Sequence, residues 1–179
     1  MMDKEEYAIV LDYLPYGYPL EKKMIPLAQA IGAKNFVLLE LIPRRGVKLE
    51  AGEKVYIGEG KRDKIYYILG RLRIDRLTET AKGAIEKYLK TQIEENEKKF
   101  VDFFNTADAI NTRLHQFELI PGFGKKHTLA ILEERKKKPF SSLEDLKKRI
   151  SNLPDPKTAI IRRLAAEINE EDRYRLFAR

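Results

Sequence analysis

The amino-acid sequence predicts an α+β chain: a small N-terminal β-barrel, a helical spacer and an all-α C-terminal half. Three observations lead there. Up to residue 77, short runs rich in β-branched and aromatic residues alternate with turn-forming and charged stretches, the spacing of a small barrel or sandwich. From Thr78 onward, apolar residues recur at helical spacing. Within that helical half, two proline-containing turns, at 120–124 and 150–156, are each followed at once by lysine and a new helical pattern. The boundaries that follow are 1–77 for the barrel, 78–104 for the spacer and 105–179 for the helical half.

Composition narrows the function classes. The 179 residues allow one domain or two small ones, and 43% hydrophobic content is enough for a packed core. A net charge of +7 favours an anionic partner. The surplus is uneven: residues 108–150 carry ten Lys/Arg against six Asp/Glu, residues 1–77 fourteen against eleven, and residues 78–107 five against six. There is no cysteine, hence no disulfide or thiolate metal site, and His115 and His127 are the only histidines. No apolar run approaches the roughly 20 residues that span a bilayer. The N-terminus is charged and lacks the apolar core of a signal peptide. The expectation is a cytoplasmic protein with no membrane partner and no cofactor.

In the N-terminal half, residues 7–14 form a β-type run that ends at Pro15, and Tyr16, Gly17, Tyr18 and Pro19 make an aromatic loop. Residues 24–31 are short and apolar and read as a helical turn. Phe36 to Ile42 is a second strand, stopped by Pro43, and Arg44, Arg45 and Gly46 make a basic turn. Lys54 to Gly58 is a third strand and Ile65 to Leu72 a fourth, separated by the charged turn Lys61, Arg62, Asp63 and Lys64. A barrel of about 75 residues with basic loops resembles an OB fold. Arg44, Arg45, Lys61, Arg62 and Lys64 are therefore candidate nucleic-acid contacts, although solvated loop tips have the same composition. Tyr16, Tyr18, Tyr56, Tyr66 and Tyr67 could stack bases, although core packing is the commoner role of such tyrosines.

Thr78 is a suitable N-cap with Glu79 in the first turn, and Ala81, Ile85, Tyr88, Leu89 and Ile93 mark one helix face. Glu94 to Lys99 is a charged interruption. Phe100, Val101, Phe103 and Phe104 form an apolar patch, expected as core between the two halves. Thr106 is expected to cap a helix over 107–118.

That helix leads into Ile120, Pro121, Gly122, Phe123, Gly124, Lys125 and Lys126. Lysines in the first turn of a helix oppose its dipole unless an anion sits nearby. Free N–H groups at a helix start bind anions, and glycines allow positive φ and close approach of a phosphate. The pattern hydrophobic-Pro-Gly-hydrophobic-Gly-Lys is filled at every position and resembles the helix-hairpin-helix motif. That resemblance implies sequence-independent contact with a nucleic-acid backbone through the hairpin amides. An ordinary αα-hairpin, in which the glycines only turn the chain, is the alternative. Arg135, Lys136, Lys137 and Lys138 lie at the end of the next helix, where basic residues suit the dipole.

Phe140, Ser141, Ser142, Leu143, Asp145 and Leu146 resemble the connector that follows such hairpins, with Ser141 or Ser142 as a cap for 143–150. Residues 150–157 read as a second, degenerate hairpin: both glycines are missing and Asp155 would repel phosphate. Tyr174, Arg175, Leu176 and Phe177 are expected to pack back on that helical core.

Barrel, spacer and tandem hairpin together resemble an archaeal family of uncharacterised, predicted nucleic-acid-binding proteins, over nearly the whole chain. Genes of that family often lie near translation and rRNA-maturation genes, which implies RNA rather than DNA as the partner; the residues themselves select neither, and a DNA-binding repair or replication accessory is the alternative. Two other functions compete. A nuclease needs clustered carboxylates for metals, and Asp102, Asp108, Glu133 and Glu134 are scattered. A repair glycosylase needs an Asp or Lys past the hairpin, and Asp155 and Lys157 lie in the degenerate turn. A protein–protein adaptor would explain the Phe100–Phe104 patch but not the basic hairpin. The expectation is a non-catalytic protein.

Overall fold

A computed structural model describes residues 4–178. The fold is mixed α+β, and the chain divides into two compact units. One runs through Tyr88 and takes up the chain again from Ile168; the other spans Leu89–Glu167.

The first unit is built on five strands: β1 (Tyr7–Leu14), β2 (Leu27–Gly32), β3 (Leu38–Pro43), β4 (Lys54–Tyr56) and β5 (Ile65–Arg71). They form one curled half-barrel sheet in the order β4-β1-β2-β3-β5. Every neighbouring pair is antiparallel. The edge strands β4 and β5 therefore run in the same direction. Small residues of β1 and β2 (Ala8, Val10, Ala28 and Ala30) meet Leu39, Leu41, Val55 and Ile65 in the core.

The expected helical turn over 24–31 is instead β2. Its six residues are all buried, as in a strand covered on both faces. Such a strand shows no alternation to read, and two alanines and a glutamine hide it further. Gln29 explains how a polar residue survives there. It donates to the Arg76 carbonyl at 2.7 Å and to the Tyr18 hydroxyl at 3.1 Å, and accepts from the Thr78 N–H at 3.0 Å.

The second unit's elements are α2 (Glu97–Thr106), β6 (Ala109–Asn111), β7 (Leu114–His115), a 3-10 turn (Gln116–Leu119), α3 (Lys125–Lys137), α4 (Leu143–Arg149) and most of α5 (Pro156–Ile168). The preceding helix, α1 (Glu79–Glu95), carries the divide within it. The divide falls there because the start of α1 belongs to the sheet: Thr78 donates to Asp12 at 2.6 Å, and Tyr88 packs against Phe36. The chain after Ile168 also lies with the first unit, so Tyr174–Phe177 do not join the helical core as expected.

Residues 107–118 are not the expected helix but the β6–β7 pair and the 3-10 turn. Local side-chain bonds outcompete the helical spacing. Asn111 accepts from the Arg113 N–H at 2.8 Å and turns the chain. His115 Nδ1 accepts from the Phe117 N–H at 3.1 Å, while Glu118 accepts from the His115 N–H at 2.8 Å. Burial, then the Arg135 charge, hold His115 below the usual histidine range and keep this cap neutral. Of the Phe100–Phe104 patch, Phe103 meets Phe117 edge-on at 5.7 Å within this unit. Phe104 stacks on Phe117 at 5.5 Å and reaches Phe123 at 6.0 Å.

Candidate nucleic-acid interface

Two turns of the 89–167 unit start helices, and they differ most at the helix cap. The first is a Pro-Gly turn. The Phe123 N–H donates to the Ile120 carbonyl at 3.0 Å, and Gly122 takes φ +85°, which a type II turn requires at that place. Ile120 and Phe123 are buried, whereas Pro121, Gly122, Gly124, Lys125 and Lys126 are exposed. The apolar pair anchors the loop, and the polar face of the turn stays in solvent.

Gly124 is the N-cap of α3. It departs from the expectation for both glycines, since its φ of −111° is extended and suits any residue. Its value lies in the missing side chain. A Cβ at Gly124 would meet nothing within 4 Å, so there is room at the cap beyond the backbone. The N–H groups of Lys125, Lys126 and His127 occupy that turn, where a helix supplies no acceptor of its own. Lys125 and Lys126 have no protein partner among the described residues. The first turn holds no acidic side chain.

The second turn repeats the backbone plan. Asn152, at φ +57°, takes the place of Gly122, and Leu153 is buried as Phe123 is. Pro154 lengthens the turn by one residue, and Asp155 then stands before α5 with Pro156 first in the helix. The Asp155 carboxylate accepts from the Thr158 N–H at 3.1 Å and from its hydroxyl at 2.8 Å. These bonds, with Lys147 at 3.5 Å, hold Asp155 below the usual carboxylate range. The second turn thus carries its own anion. Lys157, the lysine that follows, pairs with Glu94.

The two turns are joined. His127 Nδ1 accepts from the Gly124 N–H at 3.3 Å, and Nε2 donates to the Asn152 carbonyl at 3.1 Å. A Cβ on Gly122 would come within 2.9 Å of Pro154 Cγ. From below, the buried Arg163 donates to the Leu119 carbonyl at 3.2 Å and pairs with the fully buried Glu167 at 3.2 Å. Sequence reasoning missed His127, Asn152 and Arg163. An Arg and a Glu four apart on an otherwise apolar helix face were the legible signal for the last.

The basic run at the end of α3 is largely structural. Arg135 donates to the carbonyls of Phe104 and Ala107, and Lys137 pairs with Glu134. Arg149 donates to the carbonyls of Glu134 and Lys138 at 2.6 and 2.7 Å and closes the end of α3.

In the first unit, the candidate basic residues divide. Arg44 donates through Nε to the Arg62 carbonyl at 2.7 Å, and Arg62 through Nε to the Gly58 carbonyl at 2.8 Å, so both brace their loops. Lys64 pairs with Glu53. Arg45 and Lys61 are exposed and have no protein partner among the described residues. Among the tyrosines, Tyr18 donates to the buried Glu40 at 2.8 Å beneath the Arg76 guanidinium, and burial pushes its pKa to about 12. It is a structural residue. Tyr56 accepts from the Gly60 N–H and packs edge-on against Tyr7. Tyr16, Tyr66 and Tyr67 are exposed.

No described helix is long and apolar enough to cross a membrane. Among the described residues, no group of three or more His, Asp or Glu is placed to hold a metal ion.

Comparison with known proteins gives a consistent result. A family model described as a protein of unknown function (DUF655) matches residues 4–179. An uncharacterised protein of Methanocaldococcus jannaschii is 42% identical over 177 residues, covering 98% of this chain and 80% of that protein. The crystal structure of a DUF655 protein from Archaeoglobus fulgidus is 46% identical and superposes with a TM-score of 0.86, covering 98% of this chain and all of that one.

Proposed function

The chain belongs to the DUF655 family of proteins of unknown function, and we propose that it is a non-catalytic nucleic-acid-binding protein that grips the sugar-phosphate backbone without reading sequence. RNA is the proposed partner. The 89–167 unit is read as a tandem helix-hairpin-helix, with a 3-10 turn in place of the first helix, and the curled sheet as an OB-like half-barrel.

One observation carries the reading. At the start of α3, the cap brings no side chain to the first-turn amides, a Cβ at the cap would meet nothing within 4 Å, and the two lysines that follow have no partner among the described residues. A backbone phosphate satisfies the amides, suits the positive end of the helix dipole and relieves the two lysines. Neither competing function gains from the geometry. Asp155 and Lys157 are engaged in a helix cap and an ion pair, and the aromatic patch that suited an adaptor is core.

The test is a salt titration of affinity for a mixed-sequence duplex, by fluorescence anisotropy, with the full chain. Lys125→Ala with Lys126→Ala should weaken binding similarly across sequences and lower the log–log salt slope by up to about two units. The pair Lys137→Ala with Lys138→Ala should do less, because Lys137 already faces Glu134. A larger effect from the second pair would remove the hairpin from the contact.

A further inference from the structure

We infer that the first unit carries a separate groove for unpaired nucleotides, formed where the end of β1, the approach to β2, the β3–β4 loop and β5 meet. The inference rests on the nucleic-acid reading above and names the strand state that this unit takes.

The groove encloses about 530 Å³. That falls within the roughly 300–1,000 Å³ typical of sites that hold small organic groups. Tyr13 lies along it, half-buried, and packs against the sheet core. Tyr66 and Ile25 stand at its side, exposed at 64% and 46%, so apolar surface large enough for a base faces solvent. Tyr67 meets Tyr66 edge-on at 5.4 Å and supports the ring.

The rest of the lining is apolar apart from three cations. Arg44, Arg45 and Lys48 border the groove, and no carboxylate lines it among the described residues. Arg44 is held in place by its Nε bond to the Arg62 carbonyl and by its N–H donating to the Lys64 carbonyl at 2.8 Å. Arg45 and Lys48 have no protein partner among the described residues. A flat aromatic face beside fixed positive charge is the combination that single-stranded nucleic acid requires. The base stacks on the ring, and its phosphate meets the cations. A paired duplex hides its base faces and could offer this groove only phosphate. Charge complementarity and the free ring together therefore select a single strand.

The experiment uses the full chain and two labelled probes: a single-stranded oligouridylate of about 10 nucleotides, within the length one such barrel covers, and a blunt RNA duplex of about 16 base pairs. Tyr66→Ala should weaken oligouridylate binding at least about fivefold, and Tyr66→Phe, which keeps the ring, should stay within about twofold. Arg45→Ala with Lys48→Ala should weaken it as well and lower its salt slope. Duplex binding should respond to Lys125→Ala with Lys126→Ala and not to Tyr66→Ala. If oligouridylate affinity is unchanged in Tyr66→Ala and in the Arg45/Lys48 pair, the groove takes no strand, while a duplex response at Lys125 and Lys126 leaves the hairpin reading standing. If the unaltered protein binds neither probe, both readings fall.

Discussion

The Pro121–Gly124 turn and the Asn152–Asp155 turn share a plan: a residue at positive φ, a buried apolar anchor, then a helix N-cap. They part at the cap. Gly124 offers the first-turn amides of α3 no side-chain cap, whereas Asp155 caps α5 with its own carboxylate through Thr158. Their lysines part likewise, with Lys125 and Lys126 unpaired among the described residues and Lys157 held by Glu94. A helix start becomes a site for an external anion only where the chain withholds an internal one. The second turn is then a support. Through Pro154 and the Asn152 carbonyl it holds the first turn in shape.

The largest effect should come from breaking that support. Gly122→Val puts a β-branched residue at φ +85° and a Cβ against Pro154, a strain of about 1–3 kcal/mol before the clash is counted. Thermal unfolding should show a clear loss of stability alongside lost binding. An unchanged melting temperature would mean that the turns do not lean on each other.

A smaller effect should follow from removing the internal anion. Asp155→Ala should cost about 1 kcal/mol, the usual value of an N-cap, and should raise affinity for a duplex modestly by uncovering α5. The pH dependence follows from the lowered pKa of Asp155. Its stabilisation is present above the ordinary carboxylate range and is lost as pH falls through that range toward the lowered folded value. Denaturant midpoints should therefore converge between Asp155→Ala and the unaltered protein as pH drops below about 4. A constant difference at all pH values would mean that the carboxylate does not cap.

Much of the fold was legible because it rests on patterns that survive in one dimension. Four strands, the Thr78 cap, the break near Asn96 and the Ser142 cap stand close to where spacing and capping chemistry place them. What was not legible depended on neighbours distant in sequence or on single local bonds. β2 reads poorly because both its faces are buried and its glutamine is satisfied from residues 18, 76 and 78. Residues 107–118 carry helical spacing, yet the bonds of Asn111 and His115 turn the backbone elsewhere. At the candidate site, the sequence offers two glycines as equals. Only the backbone angles separate the one needed for its φ from the one needed for its absent side chain. Nor could the sequence distinguish Arg44, Arg62 and Lys64, which brace or pair within the first unit, from Arg45 and Lys61, which do not.

That distinction between the glycines supplies the most direct measurement. Gly124→Asp gives the first turn the chemistry of the second: an extended φ that aspartate accepts, open space for its Cβ, and a carboxylate in front of the α3 amides. The protein should melt no lower than the unaltered chain, since aspartate is a good N-cap, while backbone affinity falls at least about tenfold, because the anion site is filled and charged against phosphate. A Gly124→Asp protein that is fully folded and binds duplex RNA as tightly as before would contradict the assignment of the α3 N-terminus as the backbone contact.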